Sequence, residues 1–175
     1  MSRAIVAELE NPYQRAWSLM CQFMDVCPDE IWAETNGGWP VWQQVAHTVA
    51  VLNFFILEND DDTFVPAPAE LGVLMLKEQG QQVVGKESMK AYGAAVKAAV
   101  DARVARLTDA DLTRIQERVS KKIGASSAMA LLWSCWPRTP CTTLARVMRP
   151  CATTVCREFF KVLLLRARCL PQFFA

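Results

Sequence analysis

Val6, Leu9, Tyr13, Trp17, Met20 and Met24 recur at intervals of three and four residues, the spacing of one buried helical face. Asn11-Pro12 interrupts that face. It reads either as an N-cap with proline at the first helical position or as a kink inside a longer helix. "CPDEIWAE" then predicts a turn or short helical corner, Gly37-Gly38 a break, and Pro40 the start of a second helix. That second helix carries two apolar stripes, one of Val45, Val49, Leu52 and Ile56, the other of His47, Ala50, Val51 and Phe54. A helix that is apolar on opposite sides is deeply buried in its bundle. The pattern therefore turns His47 toward protein and away from water.

A long connection follows to about residue 86, with a short helix expected at Leu71–Gln79. Met89, Tyr92, Val96, Val100 and Leu107 share one face of a third helix. "TDAD" at Thr108–Asp111 resembles a capping box with Asp in place of the usual Glu or Gln. "DLTRIQERVSKKI" reads as continuing helix, and "ASSAMALLW" as the opening of a last core helix. Nothing alternates with period two over a useful length, so the pattern predicts an all-α protein. Beyond Trp133 it fails: Pro137, Pro140 and Pro150 each remove a helix donor and clash with the preceding turn. A bundle needs its fourth helix there.

Composition sharpens this break. The 175 residues are 52% hydrophobic and 21% charged, values that fit one globular domain. No apolar run reaches the about 18 residues of a membrane span. The N-terminus has no apolar signal core, which leaves the cytoplasm as the expected location and the cysteines as free thiols. The net charge of +1 is unevenly spread. Residues 1–132 hold 12 Lys/Arg against 17 Asp/Glu, and residues 133–175 hold 7 against 1. The same 43-residue tail holds five of the seven cysteines and four of the nine prolines, but no glycine. Its length is marginal for an independent core, and it is expected to be an atypical segment, not a second domain.

The only histidine in the chain is His47. Around it, "VCPDEIWAETNGGWPVWQQVAHTVAVLNFF" carries a Pro-Asp-Glu-x-Trp corner, a Gly-Gly turn and Trp-Gln-x-x-x-His. Residues 1–132 thereby resemble the DinB-like superfamily of metal-binding four-helix bundles, which is unrelated to the polymerase of the same name. The resemblance implies an antiparallel four-helix bundle in which His47 is the first of three ligands for a divalent metal such as Zn²⁺ or Ni²⁺. It also implies the activity class: metal-dependent hydrolases, and transferases or isomerases that use small thiols. The family's other two ligands lie in a His-x-x-His-His-x-Gly pattern on the last helix, and this chain has neither.

A one-base shift in reading frame near Leu132 accounts for the loss. Regrouping codons makes Trp136–Pro137 encode Ala and Cys141–Thr142 encode His or Tyr. Arg138–Thr139 and Thr142–Thr143 can each give His, and Leu144–Ala145 gives Gly from a leucine codon ending in G, such as TTG. One permitted translation restores the family's closing motif in place and order. The expectation is a DinB-like bundle over 1–132 followed by an out-of-frame 133–175, with a degraded last helix and an incomplete metal site. The competing reading is a non-catalytic helical bundle with a packing or partner-binding role. A partly covered bundle also predicts homodimerisation or aggregation.

Other features carry blander readings. Trp17, Trp32, Trp39 and Trp42 could line a pocket, but aromatics at helical spacing are usually core. Glu58, Asp60, Asp61 and Asp62 lack the alternating ligands and the glycine of a calcium loop. Cys135, Cys141, Cys151 and Cys156 form no CxxC pair and have no histidine beside them. "FFKVLLLRARCLPQFF" is basic and apolar enough to lie on a membrane surface, but out-of-frame translation yields such runs by accident. No nucleic-acid motif, Walker loop, dinucleotide fingerprint or nucleophile elbow occurs. The expected partner is therefore a small-molecule or thiol substrate, with no nucleic acid and no membrane.

Overall fold

A computed structural model describes residues 2–56 and 65–115, together with 117, 120 and 121. Their regular structure is helical apart from one minimal hairpin. The first helix, α1 (Ala4–Val26), buries Val6, Tyr13, Trp17, Met20 and Met24, the face that the spacing predicts. Pro12 lies inside α1 rather than at its first position, which decides between the two readings of Asn11-Pro12. The Pro-Asp-Glu corner becomes a one-turn helix, α2 (Asp29–Ala33). Its buried Trp32 donates its indole N–H to the Val84 carbonyl at 2.8 Å.

Gly37 and Gly38, both at positive φ (63° and 92°), turn the chain between β1 (Thr35–Asn36) and β2 (Trp39–Pro40). Two successive positive φ values suit a tight two-residue hairpin turn and favour glycine. Asn36 pairs with Trp39 and Thr35 with Pro40. Strands this short leave no alternation to read in a sequence, so the pattern shows only the break. Pro40 closes the hairpin, and helix α3 (Val41–Ile56) starts at the next residue.

The connection from α3 back into the bundle contains α4 (Leu71–Leu74), shorter than the Leu71–Gln79 expected. The reason is local. Leu76 sits in the left-handed region (φ 55°), its amide bonds to the Val73 carbonyl, and the Lys77 amide reaches back to Gly72 at 2.9 Å. That pair of bonds is the Schellman helix stop, built here on leucine in the place glycine usually takes. Helix α5 (Lys86–Val104) then buries Met89, Tyr92, Val96 and Val100, while Leu107, also buried, lies past the helix end.

Helices α1 and α5 run antiparallel, and both ends of the pair are tied. At one end Lys90 meets Asp25 at 2.8 Å, and Lys86 meets Asp29 at 2.6 Å and the Cys27 carbonyl. At the other, Arg3 donates to the carbonyls of Val104 and Leu107, each at 2.9 Å. The Asp109 carboxylate accepts the amides of Ala4, Ile5 and Val6 at 3.0–3.1 Å. The first amides of a helix have no partner within it. Arg3 makes no side-chain cap of its own, so the cap comes from a residue beyond α5.

The Thr108–Asp111 box forms in altered shape: the Asp111 carboxylate takes both the Thr108 amide (2.8 Å) and its hydroxyl (2.7 Å). One 3-10 turn follows (Asp111–Thr113), and then Arg114 is extended (ψ 132°). The helix expected to run on from Asp111 is therefore interrupted there. Leu112 is buried but Ile115 is 47% exposed, so no continuous apolar face crosses the break. The predicted last helix, the tail from 133, the Glu58–Asp62 acidic stretch and the tail cysteines lie outside the described residues.

The core is one cluster drawn from α1, α2, α3, α4 and α5, with α3 against α2, α4 and α5 and α1 against α5. Trp42, 1% exposed, and Phe23 are among its largest side chains. Trp17 and Trp32 are buried in it as well, which assigns three of the four tryptophans to packing, while Trp39 is half-buried in the hairpin. None of the described helices is long and apolar enough to cross a membrane.

Candidate functional site around His47

Helix α3 is apolar by composition yet buries four polar side chains: Gln43, Gln44, Thr48 and Asn53. Buried polar groups need partners, and three of these find theirs on the hairpin and on the connection that holds α4. The Gln43 amide donates to the carbonyls of Val73 (2.8 Å) and Glu78 (2.7 Å), and its oxygen accepts the Gly80 amide at 3.1 Å. Gln44 donates to the carbonyls of Asn36 and Trp39, which fastens the hairpin. Asn53 takes both backbone groups of Val65, donating to its carbonyl at 3.1 Å and accepting its amide at 3.4 Å. Thr48 turns inward and donates to the Gln44 carbonyl. The long connection is thus fixed along α3 by side chains one to several turns apart.

His47 belongs to this series. It is half-buried, one turn beyond Gln43 on the same face, and its Nδ1 lies 2.7 Å from the Leu74 carbonyl. A carbonyl only accepts, so Nδ1 carries the proton and donates. Nε2 is left with its lone pair. Burial holds the imidazole below its ordinary pKa of 6.5, against a weaker opposing pull from Leu74. The ring is therefore neutral at neutral pH. A neutral imidazole whose second nitrogen is anchored on a carbonyl is the form in which histidine binds metals.

That fits one ligand and no more. Among the described residues no three His, Cys, Asp or Glu side chains converge on a point where a metal ion could sit. With a single histidine in the chain, a three-histidine centre cannot form. The described donors therefore do not make up a complete ligand set for a divalent ion.

Sequence reasoning singled out His47 and read the connection as a long loop with one short helix, assigning it no part in the site. It missed the roles of Gln43 and Asn53, and it placed Tyr92 only on a packing face. The signal of the first two was present as polar residues inside α3, the most apolar of the described helices, which must bond to something nearby.

The model of the DinB superfamily matches residues 13–132. The chain belongs to the DinB superfamily, and the helices described above are its all-α fold. No curated protein and no solved structure matches the chain.

Proposed function

We propose that this chain is built on the scaffold of a metal-dependent DinB-type enzyme, a hydrolase or a thiol-using transferase or isomerase. His47 is the first ligand position of its divalent metal site, and the site is incomplete in the chain as written. The observation that supports this reading is the bond from His47 Nδ1 to the Leu74 carbonyl, which keeps Nε2 unprotonated for an ion. A bound Zn²⁺ or Ni²⁺ would supply acidified water or a coordinated thiolate. The residues in hand would hold and orient one imidazole. The missing ligands are assigned to the frame lost near residue 132. The single histidine favours a second reading, a non-catalytic bundle that packs against a partner or a second copy.

Metal titration separates the two. Untagged protein as written should purify without stoichiometric metal, and Zn²⁺ or Ni²⁺ should not raise its Tm. A version corrected by one base near codon 132 should bind either ion. At a hundredfold excess over Kd it should gain about 2.7 kcal/mol of stability, because only the folded state binds. His47→Ala should abolish that gain. A corrected protein that binds no metal would defeat the enzyme-scaffold reading. Tight, His47-dependent binding by the chain as written would defeat the claim that its site is incomplete.

A further inference from the structure

Between the second half of α3, the connection after Val65 and helix α5 lies a cavity of about 360 Å³. Ala50, Asn53 and Phe54 form one wall, Leu74 and Met75 another, and Tyr92 closes the α5 side. The volume is at the small end of the range for small-molecule sites. No charged side chain lines it among the described residues.

Two polar groups stand in these apolar walls. Asn53 is committed: its amide is held against both backbone groups of Val65, which fixes which end is nitrogen. That nitrogen also donates to the Tyr92 oxygen, at a long 3.5 Å. Tyr92 therefore accepts from Asn53, and its own O–H proton points elsewhere. No described residue takes that proton, although Tyr92 is only 5% exposed. Burial pushes the phenol's pKa up, so the group stays a donor throughout the working pH range. A buried hydroxyl whose proton meets no acceptor among the described residues is a group that a ligand oxygen can pair with.

We infer that this cavity binds a small neutral molecule, an apolar body bearing one carbonyl oxygen, with that oxygen accepting the Tyr92 hydroxyl proton. Neutrality follows from the described lining: an ionised ligand would lose its hydration and meet no opposite charge among those residues. The site uses neither Nε2 of His47 nor a metal. It does not rest on the metal reading, and its failure would leave that reading intact.

Acetophenone and its hydrocarbon isostere α-methylstyrene are the probes, titrated into the full chain and followed by amide and methyl NMR shifts. Both should perturb Ala50 and Met75, and acetophenone should bind more tightly. Tyr92→Phe keeps the ring and removes the donor. It should weaken acetophenone about five- to tenfold, one neutral hydrogen bond's worth, and leave α-methylstyrene unchanged. Ala50→Leu fills the cavity and should remove both. If neither compound shifts these signals up to its solubility limit, the chain's own residues occupy the space and the inference falls. Equal loss of both probes in Tyr92→Phe would also overturn it, because the hydroxyl would then not be reading the oxygen.

Discussion

Asp109 serves a helix to which it does not belong. Its carboxylate takes the amides of Ala4, Ile5 and Val6, and Ser2 adds a hydroxyl. The Ser2 hydroxyl first, then those amides, hold the carboxyl below the ordinary carboxylate range. A carboxyl whose folded pKa is depressed stabilises the fold above its unfolded value, and the benefit is lost as pH falls through the folded value. Asp109→Asn should therefore lower the Tm at neutral pH. The gap from wild type should close as pH drops below about 4, the unfolded value for Asp. A gap that stays constant down to pH 2 would show that the carboxylate's charge is not what caps α1. At this scale the sequence was partly legible. The buried tryptophans and His47 stood out because type and spacing both marked them. Asp109 did not, since nothing local separates a capping aspartate 105 residues away from an ordinary surface one.

At the scale of elements, the long amphipathic faces could be read and the stops could not. α1 and α5 bury nearly the residues their spacing predicts, because a face repeated over five or six turns averages out local noise. The end of α4 depends instead on one backbone conformation at Leu76, and leucine gives no hint of a left-handed φ. α1 also tolerates a flaw. Pro12 sits inside it, part-exposed, and supplies no amide to the turn before it. Pro12→Ala restores that bond and removes the ring clash. It should stabilise the protein by about 1–3 kcal/mol, read as a higher denaturant midpoint with an unchanged slope. A loss of stability would mean that the backbone shape Pro12 imposes is needed to seat Tyr13 and Trp17.

For the molecule as a whole, the fold class and the family were legible, whereas completion of the site was not. The corner, the Gly-Gly turn and the Trp-Gln-x-x-x-His spacing are local and survive in a single sequence. A metal centre needs distant residues brought together, and here the described part supplies one. His47 still affects global stability. Its folded pKa is depressed by burial, so it stabilises the fold at pH values above 6.5. That contribution fades as acid protonates a ring the interior disfavours. The Tm of the wild-type chain should fall on acidification from pH 7 toward 5, and His47→Gln should flatten that slope. Identical slopes would place the imidazole in water in both states.

The tie between the start of α1 and Asp109 has a consequence for how the protein is made. Ala4 and Asp109 are 105 residues apart, and synthesis proceeds at about 5–20 residues per second. The first turn of α1 is therefore polymerised about 5–20 s before the carboxylate that caps it. During that interval its amides have only water as partner, and Arg3 has no α5 carbonyls to hold. A nascent chain halted before codon 109 carries α1 with its first turn unsecured, however well its apolar face is patterned. Of the described helices, the first to be translated is thus among the last to be finished.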